Sequence, residues 1–193
     1  MITRLFLIRH GPTHAKSMVG WSDLPADLSD RAALARLSDY LPAEALVVSS
    51  DLSRAADTAS AIQGRRERLP HVQALREIHF GAWELRTWAE VDAEDPERIR
   101  AYWETPGDVT PPGGESWNQV CSRVNTAVDG LIAAHPGRDL IIVGHFGQIL
   151  TQIQRAELLT AEEAFAHRID NLSVSEVAIG PDGWQTGAIN HLP

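Results

Sequence analysis

Two histidines and two arginines are placed where chemistry could be done. His10 ends the run Leu5-Phe6-Leu7-Ile8-Arg9-His10-Gly11, and His145 ends Leu140-Ile141-Ile142-Val143-Gly144-His145. Apolar runs of this length read as buried strands. A cation, an imidazole and a glycine at the end of a strand serve a site at the mouth of a sheet better than they serve its interior. Arg9 accompanies the first histidine. Arg54 falls in the first turn of a helix after a third apolar run, Ala45-Leu46-Val47-Val48. Two carboxylates, Glu77 and Glu84, lie among Ile78, Phe80 and Trp83, where desolvation raises a carboxyl pKa. The spacing does not choose between them.

The absent motifs narrow the chemistry. His10 and His14 have the spacing of a helical metal pair, but Gly11 and Pro12 between them oppose a helix and no third ligand is evident. The chain has neither the Gly-x-Ser-x-Gly elbow of a serine hydrolase nor the Gly-x-x-x-x-Gly-Lys-Ser/Thr of a phosphate-binding loop. What fits is an imidazole nucleophile attacking phosphorus. Arginines match phosphate oxygens bidentately, and a second histidine donates to the same oxygens. A carboxylic acid protonates the leaving alkoxide. The cations stabilise the transition-state charge, so this chemistry requires no metal and no cofactor.

The elements that must position these groups alternate as strand and helix. Strands are expected over 2–8, 45–48 and 140–143, and helices over about 29–41, 52–62, 116–132, 147–157 and 161–167. Ser29 is the expected N-cap of the first helix, and Ser49-Ser50-Asp51 offer three candidate caps for the second. Asp95-Pro96-Glu97 reads as a capped helix start in an acidic, solvated helix pair. Ser116 and Gln119 form a capping box. Arg65-Arg66-Glu67-Arg68 is expected to be an exposed turn, and the proline- and glycine-rich segment 105–114 a lid-like loop. Residues 174–179 and 184–189 alternate and flank Pro181-Asp182-Gly183, as in a terminal hairpin or edge pair. The expected fold is therefore α/β, a three-layer sandwich with a mostly parallel central sheet and helices on both faces.

Bulk properties agree with one soluble domain over residues 1–193. The chain is 44% hydrophobic and 22% charged, with a net charge of −9. That charge disfavours nucleic acid and anionic membranes as partners, so a bound anion must be held by a local cluster of cations. The single cysteine, Cys121, sits in a helical apolar pattern and reads as a packed thiol. No apolar stretch is long enough for a membrane span or a signal peptide, and a cytoplasmic location is expected. The six tryptophans leave a homodimer open.

The chain resembles the histidine phosphatase superfamily, also called phosphoglycerate-mutase-like, along nearly its whole length. The carriers are Arg9-His10-Gly11-Pro12-Thr13, then Gly20-Trp21-Ser22-Asp23 with Leu28-Ser29, then Ser50-Asp51-Leu52-Ser53-Arg54-Ala55 with Thr58-Ala59. Leu75-Arg76-Glu77, Phe80 to Glu84, Pro112 to Ser116 and Gly144-His145 continue the series. The resemblance implies that His10 becomes phosphohistidine, that Arg9, Arg54 and His145 hold the phosphoryl oxygens, and that Glu77 is the proton donor, leaving Glu84 a supporting role. Thr13, Lys16, Gly20 and Phe146 are further expected substrate contacts. Pro12, Lys16, Phe146 and Leu85 depart from the usual residues at their positions, which bears on the substrate. Short length and the Trp83-Glu84 and Gly114-Glu115-Ser116 blocks look like the phosphatase branch. The implied activity is metal-independent hydrolysis of a small phosphorylated metabolite. The alternatives are mutase-type phosphotransfer and a catalytically silent phosphate-binding module.

Overall fold

A computed structural model describes residues 1–193. The strands are β1 (Thr3–Arg9), β2 (Leu46–Ser49), β3 (Leu140–Gly144), β4 (Val174–Gly180) and β5 (Gly183–Thr186). The helices are α1 (Arg31–Tyr40), α2 (Ser53–Ile62), α3 (Trp88–Asp92), α4 (Pro96–Glu104), α5 (Trp117–Ala134), α6 (Phe146–Glu157) and α7 (Ala161–Phe165). Short 3₁₀ turns at Gln73–Leu75 and Gly81–Trp83 frame the segment that carries Glu77.

The strands lie in the order β2-β3-β1-β4-β5. β2, β3 and β1 are parallel, with Leu5 opposite Leu140 and Arg9 opposite Gly144. β4 runs antiparallel to β1, and β5 antiparallel to β4. The sheet is thus mixed. Its parallel half carries the expected site residues, and the antiparallel half is the C-terminal hairpin.

Both faces of the parallel half are covered, which is why its strands are unbroken apolar runs. Side chains alternate across the pleat. Phe6, Ile8, Val47, Ile141 and Val143 pack with Leu34 and Leu37 of α1 and Ala55, Ala59 and Ile62 of α2. Leu5, Leu7, Leu46, Val48, Leu140 and Ile142 pack on the opposite face with Val120, Val124 and Val128 of α5 and Ile149, Leu150 and Ile153 of α6. This is the three-layer sandwich expected from the sequence.

Several local expectations change. Asp30, not Ser29, caps α1, accepting from Ala33 N at 2.9 Å. None of Ser49, Ser50 and Asp51 supplies the cap of α2. Asp23, thirty residues earlier, accepts from Ser53 N at 2.8 Å and Ser53 Oγ at 2.7 Å. The charged segment 65–68 is not simply an exposed turn. Arg66 donates to the carbonyls of Ser38, Leu41 and Pro42 at 2.7 Å each, satisfying the last turn of α1. Arg68 pairs with Val47 in an isolated parallel bridge along the free edge of β2. The 105–114 loop is pinned rather than free, because Ala82 N donates to Pro112 O at 2.8 Å and Glu115 N to His79 O at 2.9 Å. The capping boxes at Ser116–Gln119, Thr87–Glu90 and Thr160–Glu163 all form. Cys121 is half-buried, and burial pushes its thiol up to about 11, so it is inert. No helix is long and apolar enough to cross a membrane.

Candidate active site

The carboxyl ends of β1, β2 and β3 meet in one place, and His10, Ser50 and His145 each follow one of those ends. His10 is buried, and its backbone is held on every side. Its N–H donates to Gly144 O at 3.0 Å and its carbonyl accepts from Asn171 Nδ2 at 2.8 Å. The next amide, Gly11 N, donates to Thr58 Oγ1 at 2.9 Å, and Thr58 Oγ1 donates to Arg54 O at 2.7 Å. The loop after β1 is therefore bolted to α2.

The His10 ring has a fixed tautomer. Nδ1 lies 2.6 Å from Gly11 O, and a carbonyl only accepts, so Nδ1 carries the proton and Nε2 keeps its lone pair. Burial, with further repulsion from Arg54 and Arg9, lowers the imidazole pKa to about 3 despite the Gly11 bond. The ring is neutral at physiological pH, with an unprotonated nitrogen.

His145 is wholly buried, with its ring centroid 5.2 Å from that of His10. Burial first, then the neighbouring His10, Arg54 and Arg9, hold its pKa well below the ordinary value. Its Nε2 sits 2.8 Å from Ser50 Oγ, and its Nδ1 is buried with no protein partner. Arg9 spends one nitrogen on Ile169 O at 2.6 Å, while its Nε is likewise buried and unpartnered. Its guanidinium stands 5.6 Å from the centroid of the half-buried Phe146 ring.

Arg54 is held by a loop, and that loop is held by Glu84. Arg54 Nη1 donates to Ser22 O at 2.8 Å and Nη2 to Gly20 O at 2.6 Å. The Glu84 carboxylate accepts from Gly20 N, Trp21 N, Ser22 N, Ser22 Oγ and Phe80 N at 2.7–3.2 Å. Burial alone would raise the Glu84 pKa, but the donors from Ser22, Trp21, Gly20 and Phe80 outweigh it and the net shift is downward. Glycine is required at 20, since an added Cβ would lie 2.0 Å from Ile78 O.

Glu77 behaves in the opposite way. Burial raises its pKa, against the lowering effect of the Ile78 N–H, Arg54, Arg9 and the Gly147 N–H. Its Oε1 accepts from Ile78 N at 3.0 Å and from Gly147 N in the first turn of α6 at 2.9 Å. Its carbonyl accepts from Trp21 Nε1 at 2.9 Å and Arg123 Nη2 at 3.2 Å. Arg123 also donates to Ala74 O and Arg76 O, and pairs with Glu115 at 2.7 Å. The Glu77 carboxyl is thus presented from a segment fixed by backbone bonds.

Of the sequence-derived residues, Arg9, His10, Arg54, Glu77 and His145 are gathered at one end of the sheet. Gly20 joins them through its carbonyl on Arg54, and Phe146 through its ring beside Arg9. Thr13 is half-buried, with its hydroxyl 3.4 Å from Ala15 N. Lys16 is exposed. His14 Nε2 bonds the Asp27 carboxylate at 2.8 Å. No group of three or more His, Cys, Asp or Glu side chains is placed to hold a metal ion. Sequence reasoning missed the functions of Ser50, Arg123 and the Trp21 indole. Each acts on a partner 45 or more residues away, for which the sequence carries no local signal.

The model of the histidine phosphatase superfamily (branch 1) matches residues 5–191. The Bifunctional protein Rv2228c of Mycobacterium tuberculosis is 33% identical over 94% of this chain and 51% of its own length. The chain thus spans about half the length of the first curated relatives it matches. A glucosyl-3-phosphoglycerate phosphatase of Mycolicibacterium vanbaalenii is 36% identical over 77% of this chain and 71% of its own. Among solved structures, Bacillus stearothermophilus YhfR superposes with a TM-score of 0.90 at 27% identity, covering 99% of this chain and 98% of that one.

Proposed function

Since the chain belongs to the histidine phosphatase superfamily (branch 1), we propose that it is a metal-independent phosphomonoesterase acting through phosphohistidine on His10. The observation that carries the reading is the 2.6 Å bond from His10 Nδ1 to Gly11 O, which leaves Nε2 unprotonated beside the guanidinium groups of Arg9 and Arg54. Nucleophile and anion-binding groups are supplied together.

In the first step, the Nε2 lone pair attacks phosphorus as the ester P–O bond breaks. Arg9, Arg54 and His145 stabilise the oxygens that share the developing charge. Glu77, whose pKa burial raises, gives its proton to the leaving alkoxide. In the second step the Glu77 carboxylate takes a proton from water, the resulting hydroxide attacks phosphorus, and the P–N bond electrons return to His10. Inorganic phosphate leaves, and Glu77 is again protonated. Glu84, with five donors, is a carboxylate and cannot be the acid.

The substrate is a small phosphorylated metabolite, the class to which the glucosyl-3-phosphoglycerate of the Mycolicibacterium vanbaalenii phosphatase belongs. The rim cations Arg76 and Arg123 are engaged by Asp51 and Glu115, so the free charge is concentrated on the phosphoryl cage. We place the whole activity in one domain, 1–193. The test is hydrolysis of p-nitrophenyl phosphate between pH 5 and 8 in chelator-treated buffer, with His10→Ala as control. Metal-independent turnover that disappears in His10→Ala is expected. Absence of turnover in the wild type contradicts hydrolysis, and turnover surviving in His10→Ala contradicts the nucleophile. A panel of phosphorylated metabolites, ranked by kcat/KM, then identifies the leaving group.

A further inference from the structure

Ser50 takes no part in the cap that its position suggests. It is fully buried at the end of β2, with its hydroxyl oxygen 2.8 Å from His145 Nε2. The same oxygen accepts from Leu52 N at 3.2 Å. The Ser50 carbonyl is occupied separately, accepting from Ser49 Oγ at 2.8 Å, and Ser50 N donates to Val143 O at 3.2 Å. One lone pair of the hydroxyl is therefore spent on Leu52, and the imidazole is the partner left for its proton.

Two arrangements of the pair exist. If His145 Nε2 carries the proton and donates to Ser50, the buried hydroxyl proton has no acceptor. Nδ1 then presents a lone pair, which repels a phosphoryl oxygen. If Ser50 donates to Nε2, the hydroxyl is fully satisfied and the ring proton resides on Nδ1, the nitrogen with no protein partner. Unsatisfied buried donors are costly, so the second arrangement is favoured. It also converts an orphaned nitrogen into a donor for an anion. His145 must do this as a neutral ring, since burial and its cationic neighbours keep it from ionising. For a neutral histidine, the tautomer alone decides whether the free nitrogen attracts or repels phosphate.

We propose that Ser50 is a positioning residue that locks His145 in its Nδ1–H tautomer, making the ring a hydrogen-bond donor to the phosphoryl group. The inference rests on the phosphatase reading above. It completes a symmetry in the site. A backbone carbonyl fixes His10 with a bare Nε2 for attack, and a serine hydroxyl fixes His145 with a protonated Nδ1 for charge stabilisation. The neighbouring strand ends thus impose the same Nδ1–H tautomer on two rings 5.2 Å apart, while presenting the bare Nε2 of one and the protonated Nδ1 of the other.

The test separates tautomer from turnover. Two-bond ¹H–¹⁵N correlation spectra of [¹⁵N]histidine-labelled protein, assigned with His145→Gln, report which ring nitrogen is protonated. Wild type and Ser50→Thr are expected to show Nδ1–H at His145 and Ser50→Ala a shift toward Nε2–H. Turnover is read with p-nitrophenyl phosphate. Ser50→Ala is expected to lose about 10- to 100-fold in kcat/KM, and Ser50→Thr to recover most of it. An Nε2–H tautomer at His145 in the wild type overturns the proposal whatever the rates. So does a Ser50→Ala enzyme with unchanged kcat/KM. If Ser50→Ala does not fold, the wild-type and Ser50→Thr spectra decide alone. A wild type with the Nδ1–H tautomer and no phosphatase activity would instead refute the functional reading.

Discussion

Replacing Glu84 by glutamine changes one atom and disturbs the loop that holds Arg54. Oε1 accepts from Trp21 N and Phe80 N, and Oε2 accepts from Gly20 N, Ser22 N and Ser22 Oγ. An amide nitrogen in either place turns its donors against a donor, so at least two backbone N–H groups lose their acceptor. Each stranded donor costs about 1–3 kcal/mol, and partial relaxation brings the expected loss to about 2–4 kcal/mol, a large part of a domain's stability. Function falls with it. The carbonyls of Gly20 and Ser22 hold Arg54, and once they loosen, kcat/KM for p-nitrophenyl phosphate is expected to drop about 10- to 100-fold. Urea unfolding followed by tryptophan fluorescence gives the first quantity and steady-state kinetics the second. The pH dependence supplies a sign. The folded-state pKa of Glu84 is depressed, so its contribution is complete above the ordinary carboxylate range and is lost as pH falls through the folded value. The wild-type advantage over Glu84→Gln should therefore shrink in acid. A loss below about 1 kcal/mol with unchanged kcat/KM would refute the reasoning, because it would mean the five donors find other acceptors at no cost.

Other perturbations test other parts of the site. His10 is neutral in the fold down to about pH 3 but protonates near 6.5 when unfolded, so the unfolded state binds more protons between these values. Stability should fall as pH drops from about 6.5, read as a declining urea midpoint, and His10→Gln should flatten that decline. Gly147→Ala places a Cβ 2.5 Å from Glu77 Oε1 and 2.8 Å from Ile78 Cγ1. It should lower kcat more than it raises KM, as measured on a good and a poor leaving group, with the poor one suffering more. Leu85 is exposed and holds a left-handed backbone with φ of 60°. Leu85→Gly relieves a steric cost of about 1–2 kcal/mol at an entropic cost of about 0.5–1, so Tm should rise by about 1–3 °C.

The sequence made the strands and most helices legible because their signals are local. An unbroken run such as Leu140 to Val143 means burial on both faces, and the Ser116–Gln119 box marks its own helix start. The five catalytic candidates could be located because strand ends in a parallel sheet face the same way, and Glu77 could be told from Glu84 only through family resemblance. What stayed hidden were the bonds between distant segments. Glu84 looks like another carboxylate among aromatic residues until the amides of Gly20 to Ser22 fold onto it. Asp23 gives no sign that it will cap a helix that begins thirty residues later. Ser50 reads as a local cap and instead meets His145 at the end of the neighbouring strand. The expectation of an exposed turn at 65–68 failed for the same reason, since Arg66 serves the carbonyls that end α1.

The central claim is that His10 carries the phosphoryl group. Enzyme mixed with ³²P-labelled phosphomonoester and quenched in alkali within one turnover should retain label that is stable in base, labile in acid and located by peptide mapping on His10. The label should be absent in His10→Ala and, with a p-nitrophenyl ester whose leaving group needs no proton from Glu77, should accumulate when Glu77→Gln slows the attack of water. Label on another residue, label persisting in His10→Ala, or rapid turnover with none trapped in either the wild type or Glu77→Gln would contradict the account.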